Sequence, residues 1–239
     1  MDYIDIEGTA HKHGITFEGD VFEVEGYYNK KKVKFKIEEY EEKTWDELHF
    51  FEKIDDKMQD FKFLRGLSQL FTYRSLFTIL LYILIAFSSG KYANYYMYAL
   101  ELFSFIIAIP IIKFTETGKY HSAEHMAINA YENNVDLNLH NVRKQERYHS
   151  LCGSNFVIMR MFILITGMIF NVNFLIMFII AYLVSDEIVH YLDDNKKRFA
   201  FIHKLLKYIQ VSLYTAMPED KHLKLAVKTL NKLIKLEGK

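Results

Sequence analysis

Hydrophobic and polar residues alternate along the first part of the chain. From Ile15 to Glu42 the alternation forms two runs, with Asn29 and three lysines between them. Because successive side chains of a strand point to opposite faces, this period of two predicts a β-hairpin. A helix is predicted over 44–60, with Thr44 as its N-cap. We therefore expect a small β-rich region at the N-terminus.

Four long apolar runs follow, and each predicts a helix. The runs cover residues 71–90, 95–114, 155–170 and 174–192. A polar break at 88–94 separates the first two, and residues 171–173 separate the last two. Crossing a bilayer core of roughly 30 Å takes about 20 apolar residues, so the pattern predicts two transmembrane hairpins. The third run is short and contains Arg160, so it is uncertain as a complete span. For all four runs, a buried all-helical core is the alternative interpretation.

The charged residues indicate how such hairpins are oriented. The 30 basic and 30 acidic residues give a formal net charge of zero, so no overall basic field points to nucleic acid as a partner. Lys and Arg are scarce in the two turns and concentrated in the N-terminal region, in 113–155 and in the C-terminal segment. By the positive-inside rule, these three segments face the cytoplasm. The basic amphipathic stretch 196–216 fits an anionic membrane surface.

Together these patterns predict a mainly α polytopic membrane protein. It has about four transmembrane helices in two hairpins, a small β-rich N-terminal cytoplasmic region and cytoplasmic C-terminal helices. The chain divides accordingly into a polar β-rich region (1–60), a first membrane hairpin (61–114), a cytoplasmic His/Glu/Cys segment (115–154), a second membrane hairpin (155–192) and C-terminal amphipathic and docking helices (193–239).

The strongest candidate for chemistry lies between the two hairpins, in the stretch KYHSAEHMAINAYENN at 119–134. His121 and His125 are four residues apart, so on a helix they point to the same side. Two imidazoles at this spacing can bind one zinc ion, and His-x-x-Glu-His is the inverted zinc-protease arrangement. In that arrangement Glu124 is the general base. Glu132 follows about two turns later on the same helix.

A second cluster, His149 and Cys152, directly precedes the third apolar run. Their spacing of three lets both side chains contact one ion, and Gly153 permits a tight turn. Cys152 is the only cysteine, which excludes an internal disulfide and leaves a free thiol, a metal ligand or a buried core residue. The predicted metal ligands are His121, His125, His149 and Cys152. The alternative is a buried cysteine beside a solvated histidine.

Polar residues inside or at the ends of the apolar runs form a third class. They are Arg74, Glu101, Arg160, Asp186, Glu187 and His190. Because charges in a membrane are costly, such residues usually pair or face a polar cavity. We expect Glu101 to pair with Arg160 or Arg74. Glu187 and His190, together with Glu132, are candidates for contacts behind the metal ligands, and snorkelling at the membrane interface is the alternative for Glu187 and His190.

The chain resembles the YqhQ-like family of bacterial membrane proteins, known as the domain of unknown function 1385. The resemblance covers roughly residues 60–230 and depends on four ordered blocks: FLRGL (63–67), YHSAEHMAINAYE (120–132), NVRKQERYHSLCGSNF (141–156) and QVSLYTAMPEDKHLKLAVKTL (210–230). Members of this family are described as predicted metal-dependent enzymes. The resemblance therefore implies that one site contains His121, Glu124, His125, His149 and Cys152. The glycine-rich N-terminal signature of the family is reduced here to residues 6–8.

The leading hypothesis is an integral membrane protein with zinc at its cytoplasmic face, acting as a metal-dependent hydrolase. A bound metal lowers the pKa of water toward about 7, and Glu124 takes the proton. A membrane peptide, a lipid headgroup and an envelope precursor all stay open as substrates. The alternative is a non-catalytic scaffold or partner-binding protein in which four ligands close a structural metal site. A transporter is disfavoured because no inverted repeat is evident.

The same patterns predict where the protein is found and what it contacts. The resemblance implies the inner membrane of a bacterial cell, and the charge distribution implies a multi-pass protein with both termini in the cytoplasm. The expected partners are the lipid bilayer and either a membrane protein or a second copy of the chain. Nucleic acid is not expected as a partner, because the chain has no net positive charge.

Overall fold

The computed structural model describes residues 4, 6–30, 32–39, 73–89 and 92–238, and the chain forms two compact units. The first unit comprises Met1–Glu42, Ala108–His149 and Lys207–Lys239, and the second comprises Lys43–Ile107 and Ser150–Leu206. Each unit is therefore assembled from segments that are far apart in the sequence. The division into five consecutive segments stays a prediction. The helix predicted over 44–60 and the block at 63–67 lie outside the described residues.

The N-terminal part of the first unit is an antiparallel sheet of four strands in the order β1-β2-β3-β4. The strands are β1 (Glu7–Ala10), β2 (Gly14–Glu18), β3 (Phe22–Asn29) and β4 (Lys32–Glu39). The predicted hairpin is confirmed, because β3 pairs with β4 over their whole length. The turn between them places Lys30 at a φ of 45°. Ile15, Phe17 and Val24 are completely buried, so their face of the sheet belongs to the core.

The other regular elements of the described chain are helices. In chain order they are α1 (Tyr73–Ser89), α2 (Ala93–Phe114), α3 (Glu116–Glu132), α4 (Leu139–Val142), α5 (Gly153–Ile169), α6 (Phe174–Asp194), α7 (Ala200–Ile209), a π-helical segment (Gln210–Tyr214) and α8 (Asp220–Leu236). The first unit contains α3, α4, the π-helical segment and α8, whereas α1, α5 and α6 lie in the second. The boundary between the units falls within α2 and within α7.

The core of the first unit is formed by the sheet, α3 and α8. Helix α3 contributes small side chains, such as the completely buried Ala123 and Ala127, and α8 contributes leucines such as Leu230. Each fully buried leucine contributes about 1.5–3 kcal/mol relative to an exposed one. Gly26 of β3 lies so close to Thr229 of α8 that a Cβ atom would overlap the threonine hydroxyl. The glycine at this position permits the close approach of the sheet to the helix.

The second unit is built around a helical hairpin, α5 and α6. Asn171 in the turn has a φ of 54°, and the side chain of Asn173 caps α6 by accepting a hydrogen bond from the main-chain N–H of Leu175 at 3.0 Å. Phe174 and Phe178 follow and are buried in a core that α2 also lines. The apolar runs of this region therefore form helices that pack on one another through aromatic side chains.

The predicted architecture of four transmembrane helices is wrong. Among the described residues, only α2 and α6 are long and apolar enough to cross a membrane. Two such helices are weak evidence for a membrane protein, because core helices of soluble proteins have the same length and composition. Helix α5 has 17 residues. At about 1.5 Å per residue it spans roughly 26 Å, which is short of a bilayer core of roughly 30 Å. Within the described residues, Ser75–Phe87 of α1 is another of the shorter apolar stretches.

The described chain is mainly helical with one four-stranded antiparallel sheet. Within these residues it offers no support for a polytopic membrane protein.

Candidate metal centre

Helix α3 carries His121, Glu124 and His125 and follows α2 almost without a break. Gly118 permits this, because a Cβ atom there would lie 2.6 Å from the main-chain oxygen of Ile112. The rings of His121 and His125 are one turn apart, with their centroids 4.3 Å from each other. A ring nitrogen of one lies within 4.8 Å of a ring nitrogen of the other. Zinc binds imidazole nitrogen at about 2.0–2.1 Å, so small side-chain rotations bring both nitrogens onto one ion.

His125 is buried, with 1% of its surface exposed. Its Nδ1 lies 2.8 Å from the main-chain oxygen of Arg147. A carbonyl oxygen only accepts hydrogen bonds, so Nδ1 carries the proton and Nε2 of the neutral ring presents a lone pair. This Nε2 is buried and has no hydrogen-bond partner within the described residues. A lone pair left unused in the interior is unusual, because buried polar atoms are nearly always paired.

His121 has the same tautomer for the same reason. Its Nδ1 lies 3.2 Å from the main-chain oxygen of Tyr214, the last residue of the π-helical segment. Nδ1–H therefore donates to this carbonyl, and the lone pair of the neutral ring is on Nε2. Both histidines of α3 are thus oriented by main-chain carbonyls that come from other elements of the first unit.

His149 is oriented by a carboxylate. Its Nε2 lies 3.0 Å from Oε1 of Glu132, so Nε2–H donates to this side chain. The ring of His149 lies 5.9 Å from the ring of His125, measured between centroids. The first unit therefore brings three imidazoles together, and each donates one N–H to an acceptor. Histidines that bind metals nearly always make such a contact through the nitrogen opposite the metal.

Glu124 is buried against strand β1. Its side chain is 4% exposed, and a Cβ atom on Gly8 would lie 2.5 Å from its Oε1. The carboxyl group therefore lies directly over the main chain of Gly8. This contact links the N-terminal sheet to the helix that carries the candidate ligands. Sequence reasoning missed the role of Gly8, although the reduced glycine signature at residues 6–8 contained it.

Cys152 belongs to the second unit, where it is the N-cap of α5. Its Sγ accepts a hydrogen bond from the main-chain N–H of Ser154 at 3.4 Å and lies 3.2 Å from the hydroxyl oxygen of that serine. The side chain is half-buried. Its role as a metal ligand stays a prediction.

Glu187 and His190 also lie in the second unit, on α6. Both are half-buried, and the ring of His190 lies 5.7 Å from that of Phe156. Arg160 of α5 contacts Asp186 of α6 at 3.2 Å. Its guanidinium group lies over the ring of Tyr182, which is also on α6. The expected pairing of Glu101 with Arg160 or Arg74 stays a prediction, and the contact of Arg160 with Asp186 was not expected from the sequence.

A charged network at the start of α3 contains His222, which was not among the residues that the sequence singled out. His222 is completely buried, its Nδ1 accepts from the main-chain N–H of Glu219 at 3.0 Å, and its Nε2 donates to Glu116 at 2.9 Å. Burial lowers the pKa of His222. Hydrogen bonds from Lys221 and His222 lower the pKa of Glu116 to about 2. The available signal was the position of His222 three residues after the N-cap of a helix.

Comparisons with known proteins place these residues in a family. Residues 68–236 match the family described as Protein of unknown function (DUF1385). The chain is also similar to "Uncharacterized protein YqhQ" of Bacillus subtilis (strain 168), with 31% identity over 150 residues. That match covers 56% of this chain and 45% of the relative, so the chain matches less than half the length of the relative. No solved structure matches the chain. Because the matching residues include well over half of the chain, the protein belongs to the DUF1385 family.

Proposed function

We propose that the first unit binds one zinc ion through His121, His125 and His149, and that the protein is a metal-dependent hydrolase. The observation that carries this proposal is the buried Nε2 of His125, which has no hydrogen-bond partner among the described residues. Leaving such a nitrogen unpaired costs about 1–3 kcal/mol. A metal ion bound to this nitrogen would remove that cost, because the lone pair of Nε2 would then form a coordinate bond.

The set of donor atoms fits zinc. Zinc binds imidazole nitrogen, whereas magnesium and calcium take oxygen ligands. The nitrogen opposite the proposed metal is held in all three rings, by main-chain carbonyls for His121 and His125 and by the carboxylate of Glu132 for His149. These contacts fix the tautomer and the ring orientation before any metal arrives, which lowers the cost of binding.

Three protein ligands leave one tetrahedral position for water or substrate, which is the arrangement of catalytic zinc sites. When bound, the metal supplies a Lewis acid that activates water. Glu124 is the proposed proton acceptor, because it directly precedes His125 on α3 and its carboxyl group is withdrawn from bulk solvent. Strand β1 holds this carboxyl group in place through the contact with Gly8.

A closed structural site is the second candidate, in a non-catalytic scaffold or partner-binding protein. Its fourth ligand would be Cys152, three residues beyond His149. Zinc bound by four protein ligands has no free position and serves folding.

We also propose that the protein is associated with a bacterial inner membrane. The support is helix α2, in which only 11% of the most apolar 18-residue stretch is buried. Its Phe103 and Ile106 are 61% and 62% exposed, and an exposed apolar surface of this kind contacts lipid, a membrane protein or a second copy of the chain. Retention in membranes after an alkaline wash tests this location. Full release into the soluble fraction without detergent contradicts it.

Metal content of the purified protein tests the proposed site. Elemental analysis is expected to find about one zinc per chain in the wild type and little in His125→Ala. The matched control is His140→Ala, which removes an exposed histidine of the same unit and should leave the zinc content unchanged. Circular dichroism of each variant shows whether it is folded.

The Cys152→Ala variant separates the two candidate functions. Zinc retained in this variant supports the open site and directs a search for hydrolase activity, in which Glu124→Gln is expected to keep the zinc and lose the activity. Zinc lost in Cys152→Ala supports the closed structural site. A wild type that binds no zinc, even when zinc is supplied in excess, overturns both.

A further inference from the structure

The segment Glu146–His149 supplies two groups to the histidine cluster. The main-chain oxygen of Arg147 accepts the Nδ1 proton of His125 at 2.8 Å. Two residues later, His149 contributes its own ring, whose Nε2–H donates to Glu132 at 3.0 Å. The segment has no regular secondary structure, so no ladder of main-chain hydrogen bonds holds it in place. Its position has to come from other contacts.

One of these contacts is the side-chain amide of Asn129. Its Nδ2 donates to the main-chain oxygens of Glu146 and Tyr148, each at 2.9 Å. These two carbonyls flank Arg147, so the amide holds the peptide that faces His125. Asn129 lies one turn after His125 on α3. The same helix therefore positions both the imidazole and the carbonyl that accepts its proton.

The second contact is the side-chain amide of Gln210. Its Oε1 accepts from the main-chain N–H of His149 at 3.0 Å, and its Nε2 donates to the main-chain oxygen of the same residue at 3.3 Å. Gln210 is completely buried and begins the π-helical segment. The last residue of that segment, Tyr214, provides the carbonyl that accepts from His121. π-Helical turns are rare and frequently occur at functional sites.

We infer that Asn129 and Gln210 are positioning residues of the proposed zinc site. Asn129 keeps the proton of His125 on Nδ1, and Gln210 keeps His149 next to the two histidines of α3. Both positions require a carboxamide. Asn129 uses two N–H donors of one nitrogen, and Gln210 uses a donor and an acceptor together, which a carboxylate of the same shape cannot provide. The inference rests on the proposed function for its metal, but the tautomer of His125 can be measured without one.

The test compares Asn129→Asp and Gln210→Glu, which keep the shape of each side chain and remove its N–H donors. The matched control is Asn231→Asp, because Asn231 Nδ2 also donates to a main-chain oxygen of the first unit, that of Leu137, at 3.1 Å. The full-length chain is used throughout. Circular dichroism and thermal melts of each variant establish that it is folded.

The first readout is the tautomer of His125 in the metal-free protein, from NMR with ¹⁵N-labelled histidine. The wild type is expected to show the proton on Nδ1. In Asn129→Asp the carbonyl of Arg147 is released, so a population with the proton on Nε2 is expected. The second readout is zinc affinity, measured by competition with a chelator. Loss of a contact that orients metal ligands weakens metal binding by about 10- to 100-fold, and we expect this for both variants.

The outcomes are distinguishable. The inference is overturned if Asn129→Asp keeps the His125 tautomer and both variants bind zinc as tightly as Asn231→Asp. Zinc binding by the wild type in that experiment would leave the proposed function intact. A wild type that binds no zinc contradicts the proposed function, and the tautomer then decides the inference alone. If Asn129→Asp does not fold, Gln210→Glu decides it, through zinc affinity and through the ring signals of His149.

Discussion

Replacing Gly8 by alanine is expected to displace the carboxyl group of Glu124. A Cβ atom built on Gly8 would lie 2.5 Å from Oε1, 2.7 Å from Cγ and 2.8 Å from Cδ of Glu124. Because Cγ is one of the three atoms, rotation of the carboxylate alone cannot remove the overlap. The φ of Gly8 lies outside the left-handed region, so the main chain itself accepts alanine. The destabilising part of the effect therefore comes from the contact with Glu124.

The size of the effect follows from two opposing contributions. Overfilling a packed site costs about 1–3 kcal/mol. Alanine in a strand is more favourable than glycine by roughly 0.5–1 kcal/mol, because the unfolded chain has less freedom to lose. The net expectation is a loss of about 1 kcal/mol in the free energy of unfolding. In a Glu124→Ala background the overlap is absent, so Gly8→Ala should become stabilising by roughly 0.5–1 kcal/mol.

Urea denaturation of the four proteins of this double-mutant cycle, followed by circular dichroism, measures the change of sign. The matched control is Gly153→Ala, since a Cβ atom on Gly153 would meet no atom within 4 Å. This control should show no loss of stability from overlap. If Gly8→Ala costs the same free energy with and without the Glu124 side chain, the carboxyl group does not lie on strand β1, and the proposed placement of the proton acceptor is refuted.

Two further predictions concern the charged groups. Burial keeps the pKa of His222 below its ordinary value of 6.5. Below pH 6.5 the unfolded chain therefore binds a proton at this histidine that the folded chain does not bind, and thermal melts should show stability falling as the pH drops. Glu116, with its pKa lowered from 4.5 to about 2, should add a second loss of stability between these values. His222→Gln should remove the first loss and reduce the second, because the contact with His222 is one of the causes of the lowered pKa of Glu116. Asp186→Leu should destabilise the second unit by at most about 3–5 kcal/mol, the cost of breaking a fully buried pair, because it removes the carboxylate from the half-buried Arg160. Adding Arg160→Met should restore most of the loss. Urea denaturation measures both, and a double variant as unstable as the single one contradicts the pairing.

The local elements follow from periodicity. Alternation with a period of two was sufficient to predict the β3–β4 hairpin, and the apolar runs were sufficient to predict helices at α1, α2, α5 and α6. The apolar runs were not sufficient to predict the number of membrane spans, because that number depends on where each helix begins and ends. Helix α5 starts at Gly153 and ends at Ile169, so it has 17 residues in place of the length needed to span.

The candidate site divides in the same way. The sequence by itself determines that His121, Glu124 and His125 lie within about one turn of a helix, because spacing along a helix is a local property. Only the tertiary structure brings His149 to Glu132 and places Gly8 under Glu124. Periodicity shows which side of an element is apolar, but it does not show which other element covers that side.

Apart from Glu132, which the sequence suggested, the groups that orient the histidines are decided by the tertiary structure. Four of the five main-chain oxygens involved, those of Glu146, Arg147, Tyr148 and His149, lie in one short segment. Gln210 contacts His149 although the two residues are 61 positions apart in the sequence. Every residue carries a main-chain carbonyl, so a carbonyl that accepts from an imidazole leaves no mark in the order of side chains. The sequence therefore determines which groups are available for chemistry, and the fold decides which way their protons and lone pairs point.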